Sequence, residues 1–167
     1  MDIPSTSSNG FNSEPTATVA NSTDSNLNQP KLSVPSDLGY AGVVSPRQAW
    51  EWFQTSEAVI VDVRTKEELH FVGQVPGSLH VAWATGSAMN RNPRFIKELE
   101  AKVPKQQKIL FLCRSGKRSA EAAEAATKAG FTQVYNIAQG FEGDLNEQQQ
   151  RGSLGGWRYE NLPWQQD

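Results

Sequence analysis

The chain has one cysteine, Cys113, and its neighbours favour nucleophilic chemistry at that sulfur. Residues 108–112 are a mostly apolar run typical of a buried strand, and an alanine-rich segment typical of a helix follows the cysteine. The turn between them is rich in cations and consists of Arg114, Ser115, Gly116, Lys117, Arg118 and Ser119. N–H groups at a helix start lack intrahelical partners and, with nearby cations, stabilise a thiolate. The stretch therefore predicts an anion site built around a sulfur.

A thiolate in such a turn can attack sulfur, phosphorus or carbon electrophiles, or be oxidised. The alternative interpretation is a buried structural cysteine at the end of a strand. The three cations of the turn and Gly116 favour the reactive role. Because the chain has no second cysteine, an intrachain disulfide and a Cys-rich metal site are excluded. The pattern requires no metal and no cofactor.

Asp62 and Arg64 are a second candidate pair. They end a β-branched strand predicted over residues 58–64, and open α/β sheets place their sites at the carboxyl ends of strands. Two interpretations of the pair stay open. It is either a local ion pair, or two groups that brace the cysteine turn from behind.

The elements around these residues alternate between helix and strand. Ser45-Pro46 and Asn92-Pro93 are each typical of a helix cap followed by proline in the first helical position, and Thr65 is expected to cap a short helix. The predicted strands cover residues 58–64, 79–83, 108–112 and 131–137. This order predicts an α/β domain with a central parallel sheet flanked by helices. Trp157 and Trp164 are expected to hold the glycine-rich C-terminal segment on that domain.

Residues 1–37 differ in composition from the rest of the chain. Ser, Thr, Asn and Pro dominate them, without apolar periodicity, which predicts a disordered tail ahead of a domain at residues 38–167. Lys31 is the only basic residue of this tail, whereas transit peptides are rich in arginine and poor in acid. No cationic start precedes an apolar stretch, so a secretory signal is not expected either.

Charge and hydropathy narrow the class of partner. A net charge of −2 over 167 residues argues against nucleic acid or a membrane surface as the main partner. The sequence contains no apolar run long enough to span a membrane. A lone thiol suits a reducing compartment, so a soluble, cytoplasmic protein is expected.

The motif from Cys113 to Ser119, Cys-Arg-Ser-Gly-Lys-Arg-Ser, resembles the active-site loop of single-domain rhodaneses. Residues 61–68 and 73–78 resemble the N-terminal signature of that family, and residues 156–164 resemble its C-terminal signature, all in the family's order. Gln74 departs from the pattern, because the family commonly has histidine there. The resemblance implies a rhodanese-like three-layer α/β domain, in which Cys113 accepts sulfane sulfur and N–H groups of the loop hold the persulfide.

The resemblance also implies the reaction. A small anionic donor such as thiosulfate gives its outer sulfur to Cys113, and a thiophilic acceptor, cyanide or a thiol, removes it by ping-pong kinetics. Without a second cysteine in the chain, the acceptor is a small molecule or another protein. The alternative within the same family is a sulfur carrier or interaction module that serves a specific protein partner.

A second class of enzymes, the phosphatases and arsenate reductases, also has a cysteine loop that ends in arginine. In that class five residues separate the cysteine from the arginine, whereas four separate Cys113 from Arg118 here. Ser119 occupies the five-residue position. The shorter loop predicts a bowl matched to one sulfur atom rather than to a phosphoryl group.

Overall fold

Short apolar segments of the sequence become the strands of a parallel sheet. The structure, a computed structural model, describes residues 37–167. Its strands are β1 Gly42–Val44, β2 Val59–Asp62, β3 Leu79–His80, β4 Ala84–Thr85, β5 Asn90–Arg91, β6 Ile109–Leu112 and β7 Val134–Ile137. Its helices are α1 Pro46–Gln54, α2 Lys66–Val72, α3 Phe95–Lys102 and α4 Lys117–Lys128. The tail expected at residues 1–37 lies outside the described residues except for Asp37.

Within residues 37–167, five strands form one parallel sheet in the order β1-β7-β6-β2-β3. Strand β6 lies between β2 and β7, with Ile60 opposite Leu110 and Val61 opposite Phe111. These four side chains are fully buried, as expected for a parallel sheet that is covered on both faces. The predicted α/β architecture with a central parallel sheet is confirmed.

Helices cover both faces of this sheet. On one face, Phe95 and Leu99 of α3 pack beside α4 against the sheet, and α4 contributes the small buried side chains Ala122, Ala123 and Ala126. The methyl side chains let α4 lie close to the strands. On the other face, Ala49 of α1 packs in a cluster with residues of the C-terminal segment.

The C-terminal segment is held by its tryptophans, as the sequence predicted. Trp157 is fully buried, and its Nε1–H donates to the carbonyl of Pro163 at 2.8 Å. The ring of Trp164 meets Phe141 edge to face, with 6.2 Å between ring centroids. Aromatic pairs in this geometry are attractive beyond their buried area, so the segment is attached at two points.

Two of the three expected helix starts are confirmed. The Oγ of Ser45 accepts the N–H of Gln48 at 3.1 Å and caps α1. At α2, Thr65 and Glu68 form a capping box, in which each side chain accepts a backbone N–H from the other residue.

The expected start at Asn92-Pro93 is wrong. Helix α3 begins at Phe95, because the Oδ1 of Asn92 accepts the N–H of Arg94 at 3.0 Å and forms a turn ahead of the helix. The last strand also begins later than expected, at Val134. The N–H of Phe131 donates back to α4 and closes its end, so that residue belongs to the turn after the helix.

Three short strands were not predicted from the sequence. They are β1 and the antiparallel pair β4 and β5, which form a hairpin over residues 84–91. Strands of two or three residues are too short for an alternating pattern to reveal them. The strand expected at 79–83 is likewise shorter, since only Leu79 and His80 pair with β2 as a ladder.

The topology brings the candidate residues to one edge of the sheet. Strands β2 and β6 are parallel neighbours, and Cys113 directly follows β6 while Asp62 ends β2. Ligands of open α/β sheets bind at this carboxyl edge. None of the helices in residues 37–167 has the length and apolar character needed to cross a bilayer.

Candidate active site

The sulfur of Cys113 lies inside the turn that joins β6 to α4. Its Sγ accepts the N–H of Gly116 at 3.0 Å and lies 3.2 Å from the Oγ of Ser119. Gly116 has a φ of +99°, a left-handed conformation that glycine adopts without strain, and this directs the turn back over the sulfur. Only 1% of Cys113 is exposed. The turn therefore encloses the thiol from the side of the helix start.

Other N–H groups of the turn are left without an acceptor. Among residues 37–167, the backbone N–H groups of Arg114 and Ser115 donate to no protein atom. The first N–H groups of α4, which begins at Lys117, have no intrahelical acceptor either. The turn thus contains donors that are available to an anion next to the sulfur.

Ser119 connects the sulfur to strand β7. Its Oγ lies 2.6 Å from the Oδ1 of Asn136, besides its contact with Cys113. A hydroxyl has one proton, so Ser119 donates either to Asn136 or to the sulfur. The Nδ2 of Asn136 donates to the carbonyl of Gly116 at 3.1 Å. Asn136 therefore holds the turn at two points, Gly116 and Ser119.

Arg118 is paired with an acid on α2. Its Nη1 and Nη2 donate to the two carboxylate oxygens of Glu68 at 2.8 and 2.7 Å. Burial raises the pKa of Glu68, but the hydrogen bonds from Arg118 and from the N–H of Thr65 outweigh it, so the net pKa lies below the ordinary value. Burial lowers the pKa of Arg118, and the hydrogen bond and charge of Glu68 outweigh that effect and raise it. The pair is charged at neutral pH and ties the turn to α2.

A cavity of about 510 Å³ lies beside the turn. Its wall consists of four side chains of the turn, of Glu121 in α4 and of four residues from the segment 83–91, which includes the β4–β5 hairpin. The guanidinium carbon of Arg91 lies 3.1 Å from the centre of the Trp83 ring. The Nε1–H of Trp83 donates to the carboxylate of Glu121 at 2.9 Å. The hairpin is therefore attached to α4 and forms one side of the cavity.

The segment after β7 supports the backbone of the turn. The N–H of Phe141 donates to the carbonyl of Cys113 at 2.8 Å, and the N–H of Glu142 donates to that of Arg114 at 2.9 Å. Gly140 has a φ of +62°, and a Cβ at this position would lie 2.5 Å from the carbonyl oxygen of Cys113. Only glycine fits this contact, and no local sequence pattern indicates it, because the contact arises in the tertiary structure.

Comparison with known proteins identifies the family. The model of the rhodanese-like domain matches residues 45–147 of the 167-residue chain, which is more than half of it. The chain belongs to the rhodanese-like domain family. The resemblance predicted from the cysteine turn and the flanking signatures is confirmed.

Relatives of this rhodanese-like domain include proteins with and without a known role. An uncharacterized protein of Rickettsia rickettsii, the RP600 homolog, is 40% identical over 114 residues, which are 65% of this chain and 83% of that protein. Thiosulfate sulfurtransferase GlpE of Glaesserella parasuis is 30% identical over 101 residues, 60% of this chain and 82% of that protein. The crystal structure of Rv0390 from M. tuberculosis is similar with a TM-score of 0.70 and 44% identity, over 77% of this chain and 99% of that chain.

In this rhodanese-like domain, Asp62 and Arg64 form a fully buried ion pair, with 2.7 Å between Nη2 of the arginine and Oδ2 of the aspartate. Arg64 also donates to the carbonyl of Gly73 at 2.8 Å, and its guanidinium carbon lies 4.2 Å from the centre of the Phe141 ring. Within residues 37–167, neither side chain hydrogen-bonds to residues 113–119. The local ion pair exists, and support of the cysteine turn by these two residues stays a prediction.

Three residues at the site of this rhodanese-like domain were missed by the sequence analysis as partners of the turn. Glu68 could not be paired with Arg118 from the sequence, because their contact spans 50 residues. Arg91 lies in a two-residue strand without a periodic pattern. Asn136 carried a signal that was not used, because a polar side chain inside a buried strand needs hydrogen-bond partners.

Proposed function

We propose that this rhodanese-like domain is a sulfurtransferase that moves sulfane sulfur through a persulfide on Cys113. The observation that carries the proposal is the contact between the Sγ of Cys113 and the N–H of Gly116, together with the N–H groups of Arg114 and Ser115 in the same turn, which have no acceptor within residues 37–167. A persulfide anion needs hydrogen-bond donors around its outer sulfur, and preorganised N–H groups provide them. Relatives named as thiosulfate sulfurtransferases support the same activity.

The first half-reaction loads the sulfur. The thiolate of Cys113 attacks the outer sulfur of thiosulfate, a new S–S bond forms, and the S–S bond of thiosulfate breaks with its electron pair on the departing sulfite. Charge and atoms balance, because one thiolate and one thiosulfate dianion give one persulfide anion and one sulfite dianion. The cations Arg114 and Lys117, which line the adjoining cavity, attract the donor and stabilise the sulfite as it leaves.

The second half-reaction unloads the sulfur. A nucleophilic acceptor, cyanide or a thiolate, attacks the outer sulfur of the persulfide and leaves Cys113 as a thiolate. Cys113 is the only cysteine, so the acceptor comes from outside the chain, and the two substrates react in ping-pong order. A lone thiol of this kind needs reducing surroundings, and we therefore also propose a cytoplasmic location.

Phosphatase chemistry has less support. It would require a guanidinium that is free to bind the equatorial oxygens of a phosphoryl group. The guanidinium of Arg118 is instead engaged by both carboxylate oxygens of Glu68. This arrangement, together with the four-residue spacing from Cys113, favours a bowl for a single sulfur atom.

Intact-protein mass spectrometry tests the proposal. After incubation with thiosulfate, the wild-type protein should gain one sulfur atom and lose it again on addition of cyanide, with release of thiocyanate. Cys113→Ser should do neither, while Ser115→Ala, which keeps the sulfur and all N–H donors, should still load. Absence of a mass gain with all three donors, thiosulfate, polysulfide and an organic persulfide, would refute the sulfurtransferase proposal.

A further inference from the structure

A second cavity, of about 440 Å³, shares no wall residue with the cavity beside the cysteine turn. Its wall comes from the start of α2, from residues 80–82 at the end of β3, from the β4–β5 hairpin and from α3. No residue of the segment 113–119 belongs to it. Cavities of about 300–1,000 Å³ hold small ligands, and sulfur transfer at Cys113 leaves this one without a role.

Four charged side chains line this cavity, two of each sign. Lys66 and Glu67 come from the start of α2, and Glu98 and Lys102 lie one turn apart on α3. Within residues 37–167, none of the four forms a salt bridge with another residue. The wall therefore presents two ammonium groups and two carboxylates that ion pairs do not cancel.

Three polar side chains of the wall are fixed by one contact and keep a free donor or acceptor. The Nε2–H of His80 donates to the carbonyl of Arg64 at 2.7 Å, which leaves Nδ1 as an acceptor in the neutral ring. The ammonium of Lys102 donates to the carbonyl of His80 at 2.7 Å and has two further N–H groups. One carboxylate oxygen of Glu98 accepts from Asn92 at 3.3 Å, and the other has no partner within residues 37–167.

Asn92 joins the two sides of this arrangement. It is 9% exposed, and its Nδ2 donates to the carbonyl of Ala82 at 2.8 Å as well as to Glu98. The carboxylate of Glu98 is thereby placed against the segment that follows β3. The same segment supplies the apolar part of the wall through Val81 and Ala82. The cavity thus combines preorganised polar groups of both signs with a small apolar surface.

We infer that this cavity binds a small zwitterion, an α-amino acid with an aliphatic side chain. The ammonium of Lys102 binds its carboxylate, and its own ammonium donates to Glu98 and to the Nδ1 of His80. Its side chain lies against Val81 and Ala82. A ligand with one charge would meet two groups of like sign, whereas a zwitterion meets complementary groups at both ends. The inference goes beyond the proposed function and does not depend on it, since the cysteine turn takes no part.

Three ligands with a common aliphatic chain test the site in NMR titrations of the full-length protein. L-Leucine carries both charges, 4-methylpentanoate lacks the ammonium, and isoamylamine lacks the carboxylate. L-Leucine should bind saturably, with shift changes centred on residues 80–82 and 98–102. Each of the other two ligands should bind about tenfold more weakly or worse, as expected for loss of one charge-assisted contact. No sulfur compound is present, so failure of sulfur transfer would leave this result unaffected.

Paired variants on α3 assign the two ends of the ligand. Glu98→Gln keeps an oxygen that accepts from Asn92, and it should weaken L-leucine and isoamylamine about tenfold without weakening 4-methylpentanoate. Lys102→Met should weaken L-leucine and 4-methylpentanoate by a similar factor without weakening isoamylamine. The controls Glu100→Gln and Lys97→Met remove the same charges from exposed positions of the same helix outside the cavity wall.

The fold of each variant is verified by far-UV circular dichroism. Lys102→Met also removes the contact with the carbonyl of His80, so the isosteric Glu98→Gln decides if that variant does not fold. The inference is overturned if L-leucine does not bind, if either singly charged ligand binds as tightly as L-leucine, or if folded Glu98→Gln binds L-leucine as the wild type does. It is equally overturned if the control variants weaken L-leucine as much as the cavity variants.

Discussion

Arg118 and Glu68 join the cysteine turn to helix α2 through two hydrogen bonds of 2.8 and 2.7 Å. The same carboxylate accepts the N–H of Thr65 at 3.0 Å and completes the capping box of α2. One acid therefore fixes the start of a helix and the far end of the turn that encloses Cys113. Both side chains of the pair are mostly buried, so salt screens their attraction less than it would on an open surface.

Replacing Arg118 should lower the stability of the fold strongly and the rate of persulfide formation only partly. Arg118→Ala leaves Glu68 charged and mostly buried without its main partner, and we expect the free energy of unfolding to fall by about 1–3 kcal/mol. Persulfide formation on Cys113 should slow but persist, because backbone N–H groups of the turn hold the sulfur. Urea unfolding and the rate of mass gain with thiosulfate measure the two effects.

The control for that variant is Lys128→Ala on the same helix. The exposed ion pair of Lys128 with Glu124 should contribute little to the free energy of unfolding. A double-mutant cycle of Arg118→Ala with Glu68→Gln isolates the energy of the pair itself. Complete loss of persulfide formation in a folded Arg118→Ala protein would contradict the expectation and assign the guanidinium a direct role.

Acid should weaken the protein through Glu68. Its pKa in the folded state lies below the ordinary value, so the unfolded state binds more protons at this group as pH falls. The stabilisation is complete above the ordinary carboxyl pKa and is lost as pH falls through the lowered folded pKa. The Tm of wild type should exceed that of Glu68→Gln at neutral pH, and the two should converge in acid. A Tm difference that is constant with pH would refute this assignment.

Asn136 should act as a positioning residue for the turn. It is 6% exposed, accepts from Ser119 at 2.6 Å and donates to the carbonyl of Gly116 at 3.1 Å. Asn136→Ala removes both of these contacts with the turn, and we expect the rate of persulfide formation to drop about tenfold while the fold is retained. Asn136→Asp keeps the acceptor but loses the donor, and it should recover only part of that rate.

A second measurement distinguishes a positioning role of Asn136 from a purely structural one. The rate of Cys113 alkylation by iodoacetamide at one fixed pH should change in Asn136→Ala, since the hydroxyl of Ser119 is then free to donate to the sulfur alone. Asn146→Ala, on an exposed loop, should leave that rate unchanged. An unaltered alkylation rate in Asn136→Ala with a lowered Tm would assign the residue to stability only.

Gly140 should tolerate no side chain. A Cβ there would lie 2.5 Å from the carbonyl oxygen of Cys113, at a φ of +62° that is already unfavourable for other residues. Gly152 has a φ of +92° and no heavy atom near the same point, so Gly152→Ala measures the backbone cost alone. We expect Gly140→Ala to lose about 1–3 kcal/mol more than Gly152→Ala in urea unfolding, because the turn must shift. Equal losses would contradict the steric argument.

Local signals in the sequence determined the reactive part of this protein. The apolar run before Cys113, the cations after it and the position of Gly116 predicted a strand, a turn and a helix with the sulfur between them. The caps at Ser45 and Thr65 were predicted for the same reason, since their hydrogen bonds reach only three residues along the chain. Interactions of such short range depend on neighbouring residues alone.

Only the tertiary structure decided which partner each polar side chain takes. Strand order places Asn136 beside the turn, α2 presents Glu68 to Arg118, and the hairpin brings Arg91 to the mouth of the cavity. These contacts span tens of residues and depend on the register of strands and the rotation of helices. The sequence does not show strand register or helix rotation, so it gave no reason to distinguish the three cations of the turn from one another. In the fold, Glu68 neutralises Arg118, whereas Arg114 and Lys117 line the cavity beside the turn and form no salt bridge within residues 37–167.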